Sequence, residues 1–89
     1  MKTKPSKQMQ DLARNIRTVR ESRGETHEEF AAFCHLPVEE IRNLEDADAL
    51  GFCGVDSVIQ VALWNSIIIS KIFLPPEEFD CYYKNQKKK

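Results

Sequence analysis

Eighty-nine residues carry 13 Lys/Arg against 14 Asp/Glu, a net charge of −1, with 42% hydrophobic and 9% aromatic residues. A chain of this length builds one small domain around one modest core. The basic start, MKTKPSKQMQ, is followed by no apolar stretch, so no secretory leader is expected and the cytoplasm is the expected compartment.

The longest apolar run, Val58 to Leu74, is about 17 residues and is broken by Gln60, Asn65, Ser66, Ser70 and Lys71. A membrane span needs roughly 20 apolar residues, so none is expected. Cys34, Cys53 and Cys81 are odd in number and far apart, without a CxxC pair, which argues against a disulfide framework. Zinc needs four convergent ligands, and His27, Cys34, His35 and Cys53 have no such spacing, so no metal or other cofactor is expected. Cys34 stands where a core leucine would fit. No nucleophile–base pairing and no phosphate-cradling glycine loop is visible, so the chain does not read as an enzyme.

In chain order, residues 1–6 form a flexible basic arm. Ser6 can cap a first helix from Lys7 to about Ser22, with Leu12, Ile16 and Val19 as its inward stripe. Gly24 suits a left-handed position just past its end. Thr26 and Glu29 form a capping box for a second helix, His27 to about Cys34, which turns Phe30, Ala31 and Cys34 to one face. His35-Leu36-Pro37 breaks the chain. A third helix from Val38 to about Glu45 carries Ile41 and Leu44 at i, i+3 spacing. Asp46 to Gly54 reads as a loop.

Val55 or Asp56 opens a fourth helix containing Val58, Ile59, Val61, Ala62 and Leu63. Beyond Trp64 the pattern is ambiguous. Asn65 and Ser66 can end that helix before another from Ile67 to Phe73, one long helix can reach Ile72, or Ile67 to Ile69 can form a buried strand, since β-branched runs favour strands. Pro75-Pro76-Glu77-Glu78 stops one element and starts a last short helix, Glu77 to Tyr83. Residues 84–89, KNQKKK, read as a basic disordered tail. The expected architecture is all-α: four to five short helices in a single domain over residues 7–83, with a helix-turn-helix at about 26–45.

The segment from Leu12 to Asp46 resembles the Cro/lambda-repressor-type (XRE-like) helix-turn-helix family. Ile16-Arg17-Thr18-Val19-Arg20-Glu21-Ser22-Arg23-Gly24 fits the end of that family's first helix. Thr26-His27-Glu28-Glu29-Phe30-Ala31 follows without a gap, and Ile41, Leu44 and Glu45 fall in register at the end. The resemblance implies a lambda-repressor-like domain whose third helix enters the DNA major groove.

Departures from the family pattern fall where function would sit. His27 replaces the glutamine that contacts phosphate, His35 the turn glycine and Pro37 the serine that starts the recognition helix. Histidine tolerates left-handed geometry better than most residues, and proline suits a first helical turn. Val38, Glu39 and Glu40 occupy base-facing positions. Valine can touch a thymine methyl and glutamate can accept from cytosine N4, although adjacent carboxylates sit poorly beside phosphates.

The charge is strongly polarised. Residues 1–24 carry a net +5, residues 25–56 a net −8, and residues 57–89 a net +2. Affinity for DNA comes largely from cations that neutralise phosphates. Two readings follow. In the first, the chain is a DNA-binding transcriptional regulator. Lys2, Lys4 and Lys7 track phosphates or a minor groove, Arg14, Arg17, Arg20 and Arg23 add phosphate contacts, and Arg42 and Asn43 supply donors on the third helix. Those arginines can instead pair with Glu25, Glu28 and Glu29 as a solvated face. In the second reading the fold is kept, and the acidic helices dock on a basic protein as an adaptor or antirepressor.

Repressors of the resembling fold bind paired half-sites as dimers. The region from Val58 to Phe73 holds more apolar residues than one helix face buries. Trp64, Ile67, Ile68 and Phe73 are therefore the expected homodimer interface, unless they complete the core or meet a different protein.

Overall fold

A computed structural model describes residues 6–50 and 53–87, with the Lys87 side chain left aside. The described residues are all-helical: α1 (Lys7–Ser22), α2 (His27–Cys34), α3 (Val38–Leu44), α4 (Val55–Trp64), a 3-10 helix (Ile69–Phe73) and α5 (Pro76–Lys87). The expected all-α class is borne out. No strand occurs among the described residues, so the isoleucine run is not a strand, and it does not continue α4 either.

Local chemistry sets the helix ends. The Ser6 hydroxyl accepts from the Met9 N–H at 3.2 Å and starts α1. The capping box of α2 is complete: the Glu29 N–H donates to Thr26 Oγ1 at 3.1 Å, and the Thr26 N–H donates to Glu29 Oε1 at 2.9 Å. Three helices end the same way, each on a residue with positive φ: Gly24 (68°) after α1, His35 (60°) after α2 and Ser66 (58°) after α4. In each case the next residue's N–H reaches back to the carbonyl five residues earlier, as Leu36 does to Ala31 at 3.0 Å and Ile67 to Ala62 at 2.8 Å. This is the Schellman closure, which satisfies carbonyls the helix end leaves orphaned.

The core forms where the inward stripes meet. Ile16 and Val19 of α1, Phe30 and Cys34 of α2, Ile41 and Leu44 of α3, Val61 of α4, Ile72 and Phe79 are fully buried. Asn15, also fully buried, ties the C-terminal part to α1. Its Nδ2 donates to the Ile72 and Leu74 carbonyls, both at 2.8 Å. A 3-10 segment cannot satisfy all its own carbonyls, and this side chain supplies the missing donor.

Two expectations need correcting. The stretch from Lys84 to Lys87 is helical, because α5 runs on from Tyr83; only residues 88 and 89 of the expected tail lie outside the described residues. Ile67, expected at a dimer interface, is buried in the protein's own core, where the Schellman turn at Ser66 folds it inward, and Phe73 packs partly buried against that core. No helix among the described residues is long and apolar enough to cross a membrane.

Candidate nucleic-acid interface

The outer side of the α1–α3 layer forms an open groove of about 610 Å³. Arg14, Arg17 and Arg20 line it from α1, His27 from the start of α2, and Arg42, Glu45 and Asp46 from the end of α3. The sequence brings these together because Arg14, Arg17 and Arg20 are spaced by threes on α1, along a row that flanks the buried stripe of Leu12, Ile16 and Val19.

Glu45 is the hub at the floor of the groove, with its side chain only 4% exposed. The Arg20 Nε donates to Glu45 Oε2 at 2.7 Å and Nη2 to Oε1 at 3.2 Å, a two-pronged pair. His27 Nε2 lies 3.3 Å from the same Oε1, and Arg17 Nε 3.7 Å from it. Arg17 also donates through Nη2 to the Glu45 carbonyl at 3.3 Å. The hydrogen bonds that Arg20 donates to Glu45 raise its pKa above the ordinary arginine value, against an opposing cost of burial. Arg20 is thus occupied in joining α1 to α3, and its third donor goes to the Glu25 carbonyl at 3.0 Å.

Arg23 is removed from the groove. Its Nε and Nη2 donate to Glu25 at 2.8 and 3.2 Å, which raises its pKa, and its guanidinium lies over the Phe33 ring, 3.7 Å from the centroid. Arg20 and Arg23, both expected at phosphates, are each held in a pair with a carboxylate, Arg20 with Glu45 and Arg23 with Glu25. Arg17 keeps a half-exposed side chain, and Arg14 is exposed with no acidic partner within 4 Å among the described residues. Lys7 is exposed and lies 3.5 Å from Asp11. Lys2 and Lys4 lie outside the described residues.

On α3, Ile41 and Leu44 point inward. Glu39 and Arg42 are exposed on the outer side, and Val38 and Asn43 are half-buried. Arg42 reaches back to Glu28 of α2 at 2.9 Å and lies 3.8 Å from Glu39. Glu40 does not face outward as a base reader: it accepts from the Ser57 hydroxyl and ties α3 to α4. At the α2–α3 turn, the His35 ring stacks on Trp64 with centroids 4.4 Å apart, and Phe33 meets Trp64 edge-on.

Sequence reasoning missed Glu45 as a hub and Glu40 as a tether. A signal for the first existed. Ile41, Leu44 and Glu45 fall at i, i+3 and i+4, so the carboxylate shares the buried face and must find cations there. The Glu40–Ser57 tether had no such signal, because it depends on how α4 returns across α3.

Among the described residues no three His, Cys, Asp or Glu side chains converge to hold a metal ion. No family model matches this chain, and no curated protein or solved structure matches it. The groove and its charges carry the functional reading.

Proposed function

We propose that the protein is a small DNA-binding transcriptional regulator of the cytoplasm, built on the helix-turn-helix of the Cro/lambda-repressor type, which places α3 in the major groove as a dimer. The observation that carries this reading is that cations of α1 and α3 share one groove: exposed Arg14 and half-exposed Arg17 on one wall, Arg42 on the other. A duplex lying along that groove receives phosphate contacts from Arg14, Arg17 and His27, while Val38, Glu39, Arg42 and Asn43 face base edges. Arg20 and Glu45 fix the angle between the helices that present these groups.

The test is a pair of variants. Arg14→Ala combined with Arg17→Ala is expected to weaken binding to unrelated duplexes alike and to reduce the slope of log K against log salt by about 2. Asn43→Ala is expected to change sequence preference instead. Unchanged affinity in the double variant contradicts the phosphate role of the groove.

A second reading draws on one observation, that Arg42 is held between Glu28 and Glu39, both largely exposed. That leaves the front of α2–α3 acidic, a surface suited to a basic protein, so the domain would act as an adaptor or antirepressor. It requires absent duplex affinity at low salt, and loss of partner binding on Glu28→Lys with Glu39→Lys.

A further inference from the structure

His27 is the single imidazole among the described residues that line the groove. It opens α2, its side chain is 37% exposed, and its Nε2 lies 3.3 Å from Glu45 Oε1. A bare ring nitrogen presents a lone pair, and a lone pair set against a carboxylate oxygen at that distance is repelled. The proton of a neutral His27 therefore sits on Nε2, toward Glu45, and Nδ1 is left as an acceptor. A phosphate oxygen is an acceptor too, so the neutral ring has nothing to offer it. The imidazolium carries an N–H on both nitrogens and can serve Glu45 through one and a phosphate through the other.

We propose that His27 makes phosphate binding in the groove proton-coupled: a duplex phosphate seats against His27 and Arg17 as the ring takes up a proton, so DNA affinity rises as pH falls. The proposal rests on the regulator reading and adds to it a regulation of the same site.

The charged groups around the ring fit this coupling. Arg17 and Arg20 of α1 share Glu45 with His27, at 3.7 and 2.7 Å. Arg14 of α1 and Arg42 of α3 line the same groove, with the carboxylates of Glu21 on α1 and Asp46 just beyond α3. On α2 itself, Glu29 is turned back into its capping box and Glu28 pairs with Arg42. Glu45, its side chain 4% exposed, stays on the far side of the ring from a ligand in the groove and holds the imidazolium by one nitrogen. Half-exposed Arg17 lends a second cation to the same phosphate. The proton and the phosphate are opposite in charge and meet on one ring, so each strengthens the binding of the other by the same factor.

The experiment is fluorescence anisotropy of a labelled mixed-sequence duplex titrated with the full chain at pH 6 and pH 8, the window in which histidine changes charge, at about 50 mM salt. The wild type is expected to bind about fivefold tighter at pH 6 than at pH 8. His27→Gln keeps an N–H donor and loses the titrating ring. It is expected to bring that ratio below about twofold, at unchanged helical circular dichroism. The chain's other histidine, His35, stacks on Trp64 and does not line the groove. His35→Asn, which suits the left-handed backbone there, is expected to keep the full ratio. Titration calorimetry at pH 7 in buffers of different ionisation enthalpy is expected to show proton uptake on binding in the wild type and none in His27→Gln. Equal wild-type affinity at the two pH values overturns the inference and leaves the groove a DNA site. A ratio that survives His27→Gln overturns it as well. Absence of binding at both pH values overturns the inference and the regulator reading together.

Discussion

Arg20 Nε and Glu45 Oε2 meet at 2.7 Å across the α1–α3 junction, in a pair whose two side chains are 13% and 4% exposed. A pair this enclosed has lost most of its water, so removing one partner strands a charge. The consequence is asymmetric. Glu45→Ala leaves Arg20, Arg17 and His27 clustered without their shared carboxylate, and is expected to cost about 3 kcal/mol in urea unfolding. Arg20→Ala leaves Glu45 within reach of His27 at 3.3 Å and Arg17 at 3.7 Å, and is expected to cost about 1–2 kcal/mol. Equal costs, or a neutral Glu45→Ala, would show that the hub does not hold the two helices.

Asn15 does for the C-terminal part what Arg20 does for α3. Its Nδ2 serves two carbonyls 57 and 59 residues away. Asn15→Asp keeps the size but removes the donor and places a carboxylate against carbonyl oxygens. It is expected to lower stability by about 3 kcal/mol, more than Asn15→Ala, and to loosen the 3-10 segment first. Amide hydrogen exchange in Asn15→Ala reads this directly: protection at Lys71 and Leu74 falls below that of α2. Uniform loss of protection across the chain would contradict a local clamp.

Burial pushes the Cys34 thiol up to about 11 from an ordinary 9.0, partly offset by Asn65 and Arg23. The sign follows from linkage. Above pH 9 the unfolded chain gives up this proton while the folded chain keeps it, so stability falls as pH rises from about 9 toward 11, by up to roughly 2 kcal/mol. Below pH 9 both states keep the proton and the effect vanishes. Cys34→Ala is expected to flatten that alkaline slope relative to wild type. Thiol labelling at pH 8 should modify exposed Cys81 first and Cys34 only on unfolding.

Legibility varied with the kind of signal. The ends of α1 and α2 could be read from Ser6, Thr26 and Gly24, because capping chemistry is local. His35 in the left-handed region was readable once the turn was aligned with a glycine position. Ser66 adopts the same geometry without a residue type that announces it, and this is why the stretch after Trp64 stayed open between helix and strand. The extension of α5 over residues 84–87 was hidden by a composition that reads as a solvated tail. Within the candidate site, the arginine row and its neighbours were visible, since spacing by threes sets one helix face. That Glu45 takes Arg20 was not, because it depends on the packing of α1 against α3, whereas the Arg23–Glu25 pair is local and Glu25 was among the expected partners. The outer stripe of α4, formed by exposed Val55, Ile59 and Leu63, was masked for a related reason: a helix apolar on both faces does not say which face meets its own core.

The central claim is that this groove takes duplex DNA. The direct measurement is fluorescence anisotropy of a labelled mixed-sequence duplex titrated with the protein at about 50 mM and about 200 mM salt, the range over which phosphate contacts reveal themselves. The account predicts binding at the lower salt that weakens by at least tenfold at the higher, consistent with a few phosphates neutralised by Arg14, Arg17 and their neighbours. Absence of binding at 50 mM salt would contradict it and leave the acidic front of α2–α3 as a protein-docking surface.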